Sequence, residues 1–315
     1  MDIKKNKLIS FVVPVFNETE SLKEFFTNLI TAINKYEIIN YEIIFVDDGS
    51  TDSSWSEISL IKKNNKNIFS FKLRKNFGKS FALNIGFKKA LGDYIFTMDS
   101  DLQDDPNEIN KFLDKINQGF DLISGWKKKR NDPFIKIFPS KIFNFITRKI
   151  TKIEINDFNC GFKLYKKNVV KNIEIYGELH RYIPVLAVSK GYKVSEIEVN
   201  HIARKFGESK FGSERYLRGF FDLITVVSTT KYLLKPGHLF GGIGFVFGSI
   251  GSLILLYLFF VKISGELIGN RPLLFLGFLL ITLSVQFLSL GIIAEFFIKN
   301  SQKLETNEDC IVEDS

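Results

Sequence analysis

Met98-Asp99-Ser100-Asp101-Leu102-Gln103 closes an apolar run, 94–98, with two carboxylates one residue apart. On an extended segment the side chains at i and i+2 leave from the same side. Asp99 and Asp101 can then share a hard divalent cation, which takes oxygen ligands and in turn holds a diphosphate. That is the chemistry of metal-bridged nucleotides. Working outward, residues 1 to about 130 alternate β-rich runs (9–15, 41–46, 69–73, 94–98) with stretches of helical period (19–36, 52–63, 79–91, 106–118). Such alternation predicts a parallel sheet with right-handed crossovers, in which ligands collect beyond the carboxyl ends of the strands. The polar clusters fall at those ends: Asn17-Glu18, Asp47-Asp48, Arg74-Lys75-Asn76 and Asp99-Ser100-Asp101. All four are thereby predicted to meet at one edge.

The chain has 315 residues and a formal charge of +8. Residues 301–315 hold five carboxylates against Lys303, net −4, so the remainder is +12. A basic body calls for a polyanionic partner: nucleic acid, phosphorylated small molecules or acidic headgroups. No nucleic-acid-binding module and no basic motif interleaved with aromatics is present, which excludes the first. Cys160 and Cys310 lie far apart and outside any C-x-x-C spacing, against a disulfide framework or a zinc site and in keeping with a reducing, cytosol-facing location. The apolar run 8–16 is broken by Pro14 and lacks a small-residue cleavage site, so it reads as a strand rather than a signal peptide.

Beyond residue 235 the character changes. Stretches 239–261 and 273–294 each carry no charge, and each can cross a hydrocarbon core of ~30 Å at ~1.5 Å per residue. A pair of buried core helices is the alternative reading, but soluble helices seldom stay apolar for so long. The connection 262–272 is short, which predicts a helical hairpin returning to its starting side. Lys231, Lys235, Lys299 and Lys303 flank the hairpin against Lys262 and Arg271 within it, so both termini and the large N-terminal domain are expected in the cytoplasm, at an inner or plasma membrane. Arg215, Arg218, Asp222, Thr225 and Thr229 recur along one helical stripe before the first span, the pattern of a helix lying in the bilayer interface. The expected organisation is a large α/β domain over 1–213, an interfacial helix over 214–235, a two-span hairpin over 236–300 (239–261 and 273–295) and an acidic, disordered tail over 301–315. Gly244-x-x-x-Gly248 and Gln286 in the spans hint at self-association.

Singly, each motif has a structural reading. Asp-x-Asp is often a solvated loop or helix cap, and Asp47-Asp48-Gly49-Ser50-Thr51-Asp52 fits a turn with Gly49 at positive φ. Together they carry more. Pro14-Val15-Phe16-Asn17-Glu18, the Asp47–Asp52 run, Asn76-Phe77-Gly78-Lys79 with Ala82-Leu83-Asn84-x-Gly86, and Asp99-Ser100-Asp101-Leu102-Gln103-Asp104-x-Pro106 resemble, in order, the motifs of family 2 glycosyltransferases of GT-A fold. Asp157-Phe158-Asn159-Cys160-Gly161-Phe162-Lys163 and Arg204-Lys205-Phe206-Gly207-Glu208-Ser209-Lys210-Phe211 resemble the acidic and basic signatures of the polyprenyl-phosphate branch, which includes bactoprenol glucosyltransferases and dolichyl-phosphate mannose synthases.

The resemblance implies a Rossmann-like, mostly parallel mixed sheet and an inverting transfer of one hexose from a UDP- or GDP-sugar to polyprenyl phosphate. It implies a divalent cation, Mg2+ or Mn2+, at Asp99, Asp101 and Gln103, and a nucleotide-sugar among Pro14, Val15, Phe16, Glu18, Asp48, Lys79, Asp99 and Ser100. Asp101, Asp157, Arg204 and Lys210 are then the catalytic group. The acceptor phosphate is anionic near neutral pH and needs cations more than a base; Arg204, Lys210 and Arg181 are the candidates. Asp157 either accepts a proton or orients the substrate, and the sequence leaves both open. Glucose from UDP-glucose is the expected donor, with mannose from GDP-mannose as the alternative. A processive polysaccharide synthase resembles a Gln-x-x-Arg-Trp family, yet neither Trp55 nor Trp126 follows an arginine. A sensor without activity would lack intact metal ligands. Lys127-Lys128-Lys129-Arg130 reads as a solvated face, with phosphates or headgroups as its other reading, and His180 and His201 read as structural.

Overall fold

A computed structural model describes residues 3–128, 144–149, 151–177, 179–202, 205 and 236–302. The chain divides into two compact units, Met1–Val226 and Val227–Ser315. The first is built on one seven-stranded sheet. Its strands are β1 (Ile9–Val15), β2 (Tyr41–Asp47), β3 (Ile68–Lys72), β4 (Tyr94–Thr97), β5 (Leu122–Trp126), β6 (Lys163–Lys166) and β7 (Val194–Glu198), in the order β3-β2-β1-β4-β6-β5-β7. β1 pairs in parallel with β2 and β4, β2 with β3, and β5 with β7, whereas β6 runs antiparallel to both β4 and β5. The expected mixed, mostly parallel sheet is therefore present.

Helix crossovers cover both faces of a parallel sheet, which is why β1 and β2 are near-continuous apolar runs with almost every residue buried. Helix Thr19–Lys35 shows the complementary pattern and buries Leu22, Phe25, Leu29 and Ile33 along one stripe. At the centre Phe96 stacks on Phe11 with ring centroids 5.3 Å apart, and Phe112 meets Phe162 at 4.3 Å. Each such ring contributes roughly 1.5–3 kcal/mol by leaving water. Polar groups buried at the opposite edge from the strand ends are satisfied locally. Ser10 donates to Glu42 at 2.6 Å, and Glu42 accepts the Leu91 amide at 2.7 Å.

One expectation needs correcting. β4 stops at Thr97, and Ser100 to Leu102 form a bend in which Leu102 holds φ +63°, so the two aspartates do not project from an extended strand. A buried leucine in the left-handed region costs roughly 1–2 kcal/mol, a strain typical of functional loops.

The second unit contains helices Pro236–Ile263 and Pro272–Gln302, each opening on a proline at its first turn. Both are long and apolar enough to span a membrane, and only 17% and 11% of their most apolar windows are buried within the chain, unlike the core helices of a soluble domain. This is a membrane protein. Within the hairpin the Ser284 hydroxyl donates to the Gly244 carbonyl at 2.6 Å. A Cβ at Gly248 would stand 2.7 Å from Ser284 Oγ, and one at Gly251 3.1 Å from the Gly277 carbonyl. The Gly244-x-x-x-Gly248 face is thus used to join the two spans of one chain, while Gln286 faces outward. The expected interfacial helix over 214–235 and the tail from 303 onward lie outside the described residues.

Candidate active site

The four polar clusters meet at the carboxyl edge of the sheet and are tied together pairwise. Asn17, at φ +53°, donates its amide to Ser50 Oγ at 2.9 Å and accepts the Thr51 amide at 2.8 Å, while the Glu18 amide donates to Ser54 Oγ at 2.8 Å. The Glu18 carboxylate accepts from Ser21 Oγ at 3.0 Å. Asp47 holds its own turn by accepting the Ser50 amide at 2.9 Å. Gly49, at φ +71°, lets that turn lie directly on the Lys75 backbone, where a Cβ would collide. Asp48 is buried and accepts the Phe77 and Gly78 amides at 2.8 and 2.9 Å, one on each oxygen. Burial, with Asp47 beside it, pushes its carboxyl above the usual range despite those two bonds. Asp48 therefore pins the 76–78 loop, and through it the start of helix Lys79–Lys89.

Lys79, the first residue of that helix, places its ammonium 2.5 and 2.7 Å from the two carboxylate oxygens of Asp99. Burial is the largest influence on the Asp99 carboxyl and would raise it, but Lys79, Lys127 and Lys163 together hold the group below the usual carboxylate range. Ser100 is buried and donates to the Pro14 carbonyl at 3.4 Å. Pro14 and Phe16 are half-buried at the end of β1, with Val15 fully buried between them. Asp101 is half-buried and accepts the Gln103 amide at 3.3 Å. The side chain of Gln103 lies 3.3 Å from the imidazole Nε2 of His201.

Several contributors lie outside the sequence-based set. Lys127 is not solvated: its ammonium sits 2.8 Å from Asp104, whose other oxygen accepts the Asp99 amide at 3.3 Å. Burial would lower this lysine, yet Asp104 keeps its ammonium above the usual lysine range. Lys128 does reach solvent, pairing with Glu198 at 3.1 Å. β6 brings the acidic signature alongside, since Thr97 donates to the Gly161 carbonyl at 2.7 Å. Gly161 lies against Asp99 so closely that a Cβ there would stand 2.5 Å from Asp99 Oδ2 and 2.8 Å from Cγ. Lys163 is buried and donates to the Phe158 carbonyl at 3.4 Å and to that of Cys160, which fixes the turn carrying Asp157. Asp157 itself is buried and accepts the Asn159 amide at 3.1 Å. The signal for Lys127 was the apolar run 122–126 before it, which ends as a strand at the sheet edge and carries the lysine inward.

Arg181 is buried in the short turn Leu179–Tyr182, where the preceding His180 pairs through Nδ1 with Ser80 Oγ at 2.9 Å. This turn thus packs on the first turn of helix Lys79–Lys89. Arg204 and Lys210 lie outside the described residues, as do Lys129 and Arg130.

Among the described residues no three His, Cys, Asp or Glu side chains form a complete metal cage. Mg2+ and Mn2+ sites at phosphates use one or two carboxylates and let the substrate supply further oxygens. Asp99, Asp101 and Gln103 offer oxygen donors of that hard class, and an ammonium already rests on Asp99. The donor set fits a divalent cation bound jointly with a diphosphate.

A mixed α/β sheet with paired aspartates at its carboxyl edge, beside the acidic signature in the turn that leads into the neighbouring strand β6, defines a glycosyltransferase of GT-A fold. The chain belongs to glycosyl transferase family 2, whose profile matches residues 10–174. It is 36% identical over 310 residues to a dodecaprenyl-phosphate galacturonate synthase of Rhizobium johnstonii, covering 96% of this chain and 91% of that protein. It is 31% identical over 293 residues to an undecaprenyl-phosphate 4-deoxy-4-formamido-L-arabinose transferase of Aeromonas hydrophila, covering 92% and 88%. Among solved structures, the fold is similar to glucosyl-3-phosphoglycerate synthase of Mycobacterium tuberculosis in complex with Mn2+, UDP and phosphoglyceric acid, with a TM-score of 0.54 and 15% identity over 72% of this chain and 79% of that one. That identity speaks for the fold alone.

Proposed function

We propose that this glycosyltransferase moves a single sugar from a nucleoside-diphosphate donor to polyprenyl phosphate at the cytoplasmic face of the membrane, with inversion at the anomeric carbon. The observation that carries the reading is the 36% identity to the R. johnstonii synthase over 96% of this chain, because that match takes in both the Asp-x-Asp edge and the hairpin. A lipid acceptor also gives the hairpin its purpose, since such a substrate must be met at the bilayer.

In the reaction the bond from C1 of the sugar to the diphosphate breaks and a bond from C1 to an acceptor phosphate oxygen forms. No proton has to leave a dianionic phosphate monoester, so Asp157 orients rather than deprotonates. Asp99, Asp101 and Gln103 would hold a divalent cation, which when bound neutralises charge on the leaving diphosphate. Lys127, through Asp104, keeps the Asp99 backbone in place, and Asp48 holds the 76–78 loop from which Lys79 reaches Asp99. Val15 shapes the nucleotide pocket from the core side, with Pro14, Phe16, Glu18, Ser100 and Lys79 around it. Arg204, Lys210 and Arg181 are assigned to the acceptor phosphate. Gln286, an amide facing outward in mid-span, favours self-association through the hairpin.

The sugar we infer is a hexuronate of galacturonate type, following the name of the R. johnstonii relative, and UDP is our proposed carrier for it. UDP-glucose and GDP-mannose are the other arms of the test. Full-length protein in detergent, given undecaprenyl phosphate and Mn2+ with each donor in turn, should make lipid product fastest from UDP-galacturonate; a faster rate from another arm reassigns the sugar.

A further inference from the structure

The ammonium of Lys79 lies on both carboxylate oxygens of Asp99, at 2.5 and 2.7 Å, and neither side chain is more than 29% exposed. The two partners differ in freedom. Asp99 is confined, because Gly161 closes one side and its amide is held by Asp104. The foot of Lys79 is fixed as well, by the Gly78 amide on Asp48, but a four-carbon stem leaves the ammonium able to swing. A divalent cation and an ammonium cannot share the same two oxygens, since like charges at contact repel and Gly161 closes one of the sides to which Asp99 could turn. A metal ion arriving alone would also strand the Lys79 ammonium in a part-buried site without a counterion. If a diphosphate arrives with the metal, the displaced ammonium gains new anionic oxygens within reach.

We infer that Lys79 is a positioning residue that stands in for the divalent cation on Asp99 in the free enzyme, so that cation and nucleoside diphosphate enter together while the ammonium moves onto the diphosphate. The inference rests on the reading that Asp99 holds the cation. It makes metal affinity depend on nucleotide and, by reciprocity, nucleotide affinity depend on metal. On product release the ammonium returns to Asp99 and helps to expel the metal–diphosphate pair.

The test is Mn2+ binding to full-length protein in detergent, read from the free-ion EPR signal, with and without UDP, and with GDP in parallel. Without nucleotide, Lys79→Met should bind Mn2+ about tenfold more tightly than wild type, the scale expected for removing a charge-assisted bidentate competitor. UDP should tighten Mn2+ binding by a larger factor in wild type than in Lys79→Met. Lys79→Gln should behave as Lys79→Met and Lys79→Arg as wild type, an ordering by charge that loss of packing would not produce. Equal Mn2+ affinity in wild type and Lys79→Met without nucleotide overturns the inference while leaving the cation site standing. Absence of Mn2+ binding to either protein with either nucleotide removes the cation site, and the stand-in role with it.

Discussion

Lys127 and Asp104 form an ion pair at 2.8 Å directly behind the Asp99 amide, with the Lys127 side chain 12% exposed and that of Asp104 fully buried. Removing one partner of a buried pair strands the other charge and costs about 3–5 kcal/mol. Lys127→Met should therefore lower stability by about 3 kcal/mol, measured by denaturant unfolding of the detergent-solubilised protein. The double variant Lys127→Met/Asp104→Asn should lose less than the sum of the two single changes. Strictly additive losses would show that the pair is not coupled.

Gly161 leaves no space beside Asp99. Gly161→Ala should displace the Asp99 carboxylate rather than the backbone, since the Cβ meets three atoms of that side chain. The expected outcome is a fall in turnover of at least about tenfold with a small change in melting temperature, on the reasoning that misplacing a group by ~1 Å can cost about a hundredfold. Unchanged turnover would contradict the placement of Asp99 at the reacting centre.

Asp101 and Asp99 differ from their amides only in charge and one donor atom. Asp101→Asn and Asp99→Asn should keep the fold and lose about 10²–10³ in turnover, the scale of removing one electrostatic stabiliser of a transition state. Steady-state assay beside thermal melting separates the two effects. Full turnover in either variant would remove it from the metal site.

Cys160 is buried against the acidic turn, and burial pushes its thiol up to about 12 from an ordinary value of 9.0. Because the folded value is the higher one, this group's contribution to stability is complete below pH 9 and fades as pH rises towards 12. In a Cys310→Ser background, maleimide should leave Cys160 unlabelled at pH 8 until denaturant is added. Prompt labelling of the folded protein would place the thiol at the surface.

Arg204 carries the acceptor assignment. Arg204→Ala should raise KM for the lipid phosphate far more than KM for the nucleotide sugar in a two-substrate assay. Equal effects on the two would reject its assignment to the acceptor.

The first four strands and the meeting of their polar ends were legible because β1 and β2 are continuous apolar runs and helix Thr19–Lys35 keeps a clean stripe of Leu22, Phe25 and Leu29. The other half of the sheet was not. β6 is four residues, Lys163–Lys166, two of them lysines, and its antiparallel pairing with β4 depends on contacts about 70 residues apart. Long-range pairing also hid Lys127, which in sequence belongs to a run of basic residues that reads as solvated, and Gly161, whose contact with Asp99 exists only once β6 is in place. The bend at Leu102 was missed because nothing in the identity of a leucine announces positive φ. In the spans, glycine spacing predicted close helix contact but not its partner, which proves to be Ser284 of the same chain.

The most direct measurement is the mass of the lipid fraction after full-length protein is incubated with undecaprenyl phosphate, UDP-galacturonate, UDP-glucose or GDP-mannose, and Mn2+. At least one donor should yield undecaprenyl phosphate bearing a single added sugar; chelation of Mn2+ should abolish it, and Asp101→Asn should cut it by about 10²–10³. Release of free sugar with the lipid unchanged, or a product carrying several sugars, would contradict the transfer of one residue to a polyprenyl phosphate.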